Sequence, residues 1–310
     1  MKNQASKNEK HEEWLNAPTQ ASASGIAFSV ASVLPTVLSV LFLLCIGSGD
    51  FSQTDWFLYV SYALPQIAFL ITAVWFLYYL KQPIGQTLKN QKCKPRYFLL
   101  AFLLQLGLFS LSELNALFLE FLGDFGYVDV GISLPSMDGF GFVGVLFVVA
   151  VLPAVFEEIM FRGVLLNGLK SFGKTGAVLL CGALFALYHQ NPAQTLYQFC
   201  CGVAFALIAL RAGSVLPTVF SHFLNNALIL TLAKFGVESF PVPVAIVLLT
   251  VSVICLTLSL VWLFFWDKKE EEKLEMQAVD KSERKRFFLC ASVGIAICAL
   301  TWIAVLFSGL

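Results

Sequence analysis

Apolar residues run along this 310-residue chain in blocks of membrane-spanning length, separated by short polar intervals. A helix needs about 20 mostly apolar residues to cross a bilayer. By that measure the pattern predicts segments at 26–48, 56–80, 97–121, 140–169, 175–190, 194–211, 215–234, 241–266 and 287–308. The expected fold is all-α, a polytopic transmembrane bundle of about eight to nine helices. The fifth and sixth segments are short and joined only by Gln190, Asn191, Pro192 and Ala193. Such a joint predicts a tight turn below the bilayer surface, where non-helical backbone needs protein or a wet cavity around it. No internal repeat is evident, which weighs against transporters built from duplicated halves.

Composition agrees with this pattern. The residues are 58% hydrophobic and 13% charged, with 30 Phe, against roughly 25% charged in soluble domains. The formal net charge is zero, but the charges are sorted by position. Under the nine-segment pattern 18 of the 20 Lys and Arg fall on one side, leaving Lys234 opposite and Arg162 within the membrane. The opposite loops carry Asp50, Asp55, Asp124 and Asp129. The positive-inside rule therefore predicts a multi-pass protein of the cell membrane with a cytoplasmic N-terminus.

The chain divides by pattern into a polar tail at 1–25, N-terminal helices at 26–138, a core at 139–234 and C-terminal helices at 235–310. The last part includes a linker at 267–286 with seven acids and seven bases, read as a solvated connector. The tail is too long and acidic for a cleavable signal, so the first apolar run is read as a retained helix. The eight cysteines have no disulfide or zinc-knuckle spacing and are expected to be small buried hydrophobes.

Ionisable side chains at membrane depth are expensive and mark functional sites. Glu157, Glu158 and Arg162 lie in the fourth segment, His189 ends the fifth, and His222 with Asn226 lies in the seventh. The remaining histidine of the three, His11, is in the tail. Glu158 and Arg162, four apart, share a helix face and can pair, whereas Glu157 is rotated by about 100°. This predicts a Glu158–Arg162 clamp and a free Glu157 carboxylate suited to general base chemistry. His222 and Asn226 also share a face. They can donate to a developing oxyanion, or serve as a metal ligand and its orienting partner. Asn225 faces about 100° away and is the weaker partner by spacing. Ser221 lacks a third group for a serine triad. Glu113 is a further membrane carboxylate, read as a partner for Arg162 or a cavity-lining group. Gln190, Asn191, Gln194 and Gln198 are expected to satisfy the turn.

In order, Glu-Glu-x-x-x-Arg, Phe-x-x-x-His and His-x-x-x-Asn across 157–226 resemble the CAAX protease and bacteriocin-processing family of intramembrane endopeptidases. Its eukaryotic branch includes the type II CAAX prenyl endopeptidase. The resemblance implies that Glu157 and His189 activate a water and that His222 and Asn226 stabilise the tetrahedral oxyanion. Glu158 and Arg162 would hold the helix in place. Two histidines and a glutamate are also zinc-ligand types, but they lie on three helices without a His-Glu-x-x-His pairing. A glutamate-activated water is therefore favoured, and Zn2+ is the alternative. The expected partners are the lipid bilayer and a peptide or membrane-protein substrate, lipidated or not, with no nucleic acid. Two other classes compete: a non-catalytic peptide-binding or bacteriocin-immunity protein, and an ion-coupled transporter.

Overall fold

The computed structural model describes residues 19–47, 49, 51–78, 85, 93–129, 131, 133–237, 239–267 and 280–310. The polar tail to residue 18, Lys81, Lys89 and Lys92, and linker residues 268–279 lie outside the described residues. Within them the chain forms helices and no strand: α1 (Gln20–Ile46), α2 (Asp55–Tyr78), α3 (Arg96–Leu108), α4 (Leu111–Gly123), α5 (141–172), α6 (Gly173–Tyr188), α7 (Thr195–Ala212), α8 (Leu216–Lys234), α9 (Val242–Val261) and α10 (Lys281–Ser308). Among the described residues, eight apolar helical stretches are long enough to cross a membrane. The longest, 48 residues at 141–188, exceeds any single crossing. It folds back at Gly173, whose φ of 74° no helix can continue through. The fold is the polytopic all-α bundle that the apolar pattern predicts.

Two helices start earlier than hydropathy alone suggests. The Thr19 side chain accepts the backbone N–H of Ser22 at 3.2 Å, starting α1 at Gln20 rather than 26. Asp280 accepts from Ser282 at 2.8 Å and starts α10 at Lys281, so Arg284, Lys285 and Arg286 begin a helix rather than end a linker. Caps need a polar side chain, which a hydropathy threshold discards.

Helix α5 is the centre of the bundle, packed against α1, α2, α6, α7 and α8. Its Met160, Phe161, Val164, Leu165 and Leu166 are fully buried. Phe161 makes edge-to-face contacts with Phe28, Phe69, Phe185 and Tyr188 at 5.0–6.5 Å between ring centres. Lipid gives no hydrophobic reward for such association, so close packing and interhelical hydrogen bonds must supply it. Accordingly α1 lays a small-residue face (Ala21, Ala23, Ser24, Gly25, Ala27, Ala31) inward. Ser24 donates to the Val164 carbonyl at 2.9 Å, and Ser29 to the Cys290 carbonyl of α10 at 2.7 Å. Helix α9 turns most of its side chains outward to lipid.

Charged side chains are paired or hydrogen-bonded at the helix ends. Arg96 pairs with Asp267 at 2.8 Å, and Arg211 donates to the Asp267 carbonyl at 2.9 Å. Nearby in sequence to those ends, Arg284 donates to the carbonyls of Ser171 and Phe172. At the other ends of the helices, Lys234 donates to the Met137 carbonyl and Asp55 accepts from the Ser136 N–H.

The α6–α7 turn does not reach those far ends. Thr195 accepts from the Trp302 indole at 2.8 Å, and Asn115 of α4 donates to the Ala193 carbonyl at 3.0 Å. At 1.5 Å per residue, Trp302 is about 9 Å short of the end of α10 and Asn115 about 12 Å short of the end of α4. The turn is tight, as its proline and amides predict, and stops short of the ends of the helices it touches.

Candidate active site

Glu157 and Glu158 end the regular stretch Leu152–Glu158 of α5, between π-helical turns at Leu146–Val151 and Ile159–Leu165. Wide turns of this kind recur at functional sites. Glu158 and Arg162 are both fully buried, and Nη1 of the arginine donates to Oε1 of Glu158 at 2.7 Å. The other guanidinium arm donates to the Gly202 carbonyl of α7 at 3.2 Å, and the group stacks on the Phe185 ring at 4.3 Å. Gly202 also lets α7 approach α6 closely, since a Cβ there would lie 2.7 Å from Cα of Gly182 on α6. The sequence-predicted pair thus ties α5 to α7 as well as to itself.

His222 of α8 meets the same carboxylate, with Nδ1 3.0 Å from Oε1 of Glu158. An oxygen already neutralising Arg162 is an acceptor, so Nδ1 carries the proton and Nε2 presents a lone pair. Nε2 lies 4.0 Å from Oε2 of Glu157. That oxygen is buried and accepts no hydrogen bond from a described residue. Oε1 of Glu157 accepts from Nε2 of Gln66 on α2 at 3.3 Å.

His189 follows the last residue of α6. Its Nδ1 donates to the Phe185 carbonyl at 2.8 Å, which leaves Nε2 as its acceptor. Phe185 sits beneath both imidazoles, 4.7 Å from the ring of His189 and 6.1 Å from that of His222. His189 is within electrostatic range of Glu157, His222 and Arg162.

Asn226 projects one turn beyond His222. Pro153 has no N–H to offer the carbonyl four residues back, that of Val149, and Nδ2 of Asn226 donates to that carbonyl at 3.0 Å. Its Oδ1 accepts from Nδ2 of Asn225 at 3.1 Å. All six sequence-predicted residues therefore converge from α5, the end of α6, and α8.

Several polar residues around this site went unnoticed in the sequence. Gln105 of α3 donates to Oδ1 of Asn225 at 2.8 Å, as does the Tyr197 hydroxyl of α7, and Ser221 donates to Oε1 of Gln105 at 3.1 Å. Asn225, the weaker candidate by helical spacing, is thus held beside Asn226. The available signal was an amide inside an apolar run, as at Gln66 and Gln105, since such a group in hydrocarbon costs several kcal/mol unless hydrogen-bonded. Glu113, by contrast, is exposed on α4, which buries no residue, and does not pair with the enclosed Arg162. Asn191 caps the turn by accepting from Ala193 at 2.8 Å, and Gln190 donates to Cys298 at 3.5 Å.

An apolar groove of about 510 Å³ opens beside the turn that carries His189, lined by Phe118, Ala186, Leu187, Leu196, Phe199 and Trp302 among others. As a zinc site the cluster is a poor fit. Zinc takes three or four ligands at about 2.0–2.3 Å, and no three His, Cys, Asp or Glu among the described residues are grouped to share an ion.

Residues 139–228, which hold all six clustered residues, match the family model described as type II CAAX prenyl endopeptidase Rce1-like. No curated protein and no solved structure matches the chain. That segment of the chain, 90 of its 310 residues, is similar to the Rce1-like type II CAAX prenyl endopeptidases.

Proposed function

We propose that the protein is an intramembrane endopeptidase in which Glu157 activates a water to hydrolyse a peptide bond of a membrane-associated or lipidated substrate. The observation that carries this reading is the 4.0 Å between Nε2 of His222 and Oε2 of Glu157, a buried oxygen with no hydrogen-bond partner among the described residues. One water bridges such a gap with two ordinary hydrogen bonds. Glu157 takes a proton from that water as its oxygen bonds to the scissile carbonyl carbon. The carbonyl π electrons move to oxygen, and the free N–H of Asn226 faces the resulting oxyanion. Collapse breaks the C–N bond, and the proton held on Glu157 passes to the leaving amine.

His189 and His222 both keep their protons on Nδ1, so each Nε2 is an acceptor in the resting site. They orient the water or share its proton, and His222 becomes an oxyanion donor only once it is protonated. This is narrower than the donor role its sequence position suggests. Glu158 and Arg162 hold His222 and α7 in place. No step is routed through a metal, because the donors are not grouped for one.

The apolar groove beside the α6–α7 turn supports a substrate with a hydrocarbon portion, and the family match supports a prenylated C-terminal peptide as the first probe. The gathering of Arg96, Arg211 and Arg284 at helix ends supports placing those ends, and the N-terminus, at the cytoplasmic face.

The test compares peptide and protein termini in membranes of cells expressing wild type or Glu157→Gln, alongside cleavage of a farnesylated CAAX peptide by the purified proteins. Termini found only with wild type establish the endopeptidase and identify its substrate. Identical termini, with the variant folded and equally abundant, reject it in favour of peptide binding.

A further inference from the structure

The hydrogen bonds beside Asn226 all run one way. The Ser221 hydroxyl is shared between Oε1 of Gln105 and the Ala101 carbonyl, and Nε2 of Gln105 donates to Oδ1 of Asn225. The Tyr197 hydroxyl donates to that same oxygen at 2.8 Å. With Oδ1 of Asn225 taken twice, its Nδ2 must turn to Oδ1 of Asn226. Oδ1 of Asn226 being the acceptor, its Nδ2 faces the Val149 carbonyl. That bond uses one N–H and leaves the second without an acceptor among the described residues. Flipping either asparagine amide would set oxygen against oxygen and nitrogen against nitrogen along the chain.

Three of these residues are almost completely enclosed: Ser221 at 0%, Gln105 at 1% and Asn225 at 5% exposure. Apolar side chains of similar volume would fill this space with no polar group to satisfy. The polar chain also crosses three helices, α3, α7 and α8, and ends on Asn226, one helical turn from His222. The Val149 carbonyl holds one N–H of that amide, and the polar chain holds its oxygen.

We propose that Tyr197, Gln105 and Asn225 are positioning residues that fix the amide of Asn226 with its unused N–H toward the reacting carbonyl oxygen. The proposal rests on the endopeptidase reading and assigns these residues no contact with substrate. They act only through Asn226, so their removal lowers the rate of the chemical step and leaves substrate binding alone. Buried polar networks are apportioned cleanly by double-mutant cycles, and the cycle here pairs each residue with Asn226.

The experiment uses the full-length protein in proteoliposomes and a quenched peptide spanning a terminus found with wild type and missing with Glu157→Gln. Tyr197→Phe deletes one hydroxyl and keeps the ring, so folding is preserved; Tyr197→Phe with Gln105→Met removes both donors to Asn225. Loss of one oxyanion donor costs roughly 10²–10³ in kcat, so Asn226→Ala retains a measurable rate. Partial misorientation is expected to lower kcat about 3-fold for the single variant and about 30-fold for the double, with KM within about 2-fold of wild type. In the Asn226→Ala background both effects should vanish. The same fold-loss in both backgrounds, or no loss in wild type, overturns the positioning role while leaving the endopeptidase standing. Absence of any Glu157-dependent terminus overturns both.

Discussion

Glu158 gives a single oxygen to two donors of different kind, and the Nδ1 of His222 is one of them at 3.0 Å. The other is Arg162 at 2.7 Å, always charged. The arginine keeps Glu158 ionised, and the ionised Glu158 holds the imidazole proton on Nδ1. Adjacent carboxylates on one helix thereby do different work: Glu158 sets a tautomer, and Glu157 faces the nitrogen that this tautomer leaves bare.

Removing the charge of Glu157 should therefore stop turnover without unfolding the protein. Glu157→Gln keeps the volume and leaves Oε1 free to accept from Gln66. Cleavage is expected to fall by at least 10²-fold, the low end for a positioned base. Tm should stay near wild type. A thermal melt and a rate on the same preparation check this, and a destabilised variant would mark Glu157 as structural.

Arg162 is the opposite case. Arg162→Ala strands a fully enclosed carboxylate, at a cost of about 3–5 kcal/mol, and releases His222 from its fixed tautomer. Stability and activity should fall together. Arg162→Lys should recover little, because a single ammonium cannot reach Glu158, the Gly202 carbonyl and the Phe185 face at once. Denaturation in detergent would expose a clamp that matters less, through a stable and active Arg162→Ala protein.

The close approach of α6 and α7 predicts an indirect route to the same defect. Gly202→Val introduces carbon where Cα of Gly182 already sits. Overpacking of this kind costs about 1–3 kcal/mol, and here it also pulls the Gly202 carbonyl from Arg162. Activity should drop several-fold although no reacting group is altered. Gly176→Ala, against a nearest atom 3.2 Å away on the Phe172 side chain, serves as the mild control in the same assay.

Strong chelators should leave cleavage intact if Glu157 and a histidine activate the water unaided. The check is the rate after incubation with 1,10-phenanthroline and again after added Zn2+. Loss followed by recovery would establish a metal that the grouping of donors here does not lead one to expect.

The bundle was legible because lipid leaves a chain few options: helices with satisfied backbones, and sorted charges at their ends. The convergence of the six polar residues was legible for the same reason, each being too expensive to place in lipid without purpose. Helix starts at Thr19 and Asp280 were not, because caps are polar and lie outside an apolar window. The Asn225 network was missed because helical spacing ranks faces within α8 and is silent on what α3 and α7 bring to them. Glu113 misled by its position mid-segment: α4 lies at the margin of the bundle, where a carboxylate remains exposed. The π-helical turns left no pattern that spacing alone would read, although Pro153 marks the first of them.

The regular stretch between those two wide turns makes the spacing of α5 unforgiving in a way that substitutions would not show. A π turn holds one more residue than an α turn of the same span, so Leu146–Val151 and Ile159–Leu165 each carry surplus chain on one side of the paired glutamates, and losing one residue there leaves the flanks in phase. Deleting a single residue from Leu152–Glu158 has no surplus to draw on and would swing the segments on either side about 100° relative to each other. Glu157 would then turn away from His222, or Arg162 from Gly202, with every side chain of the site still present. Chain length between Leu152 and Glu158, counted residue by residue, is as much a part of this site as the identity of its glutamates.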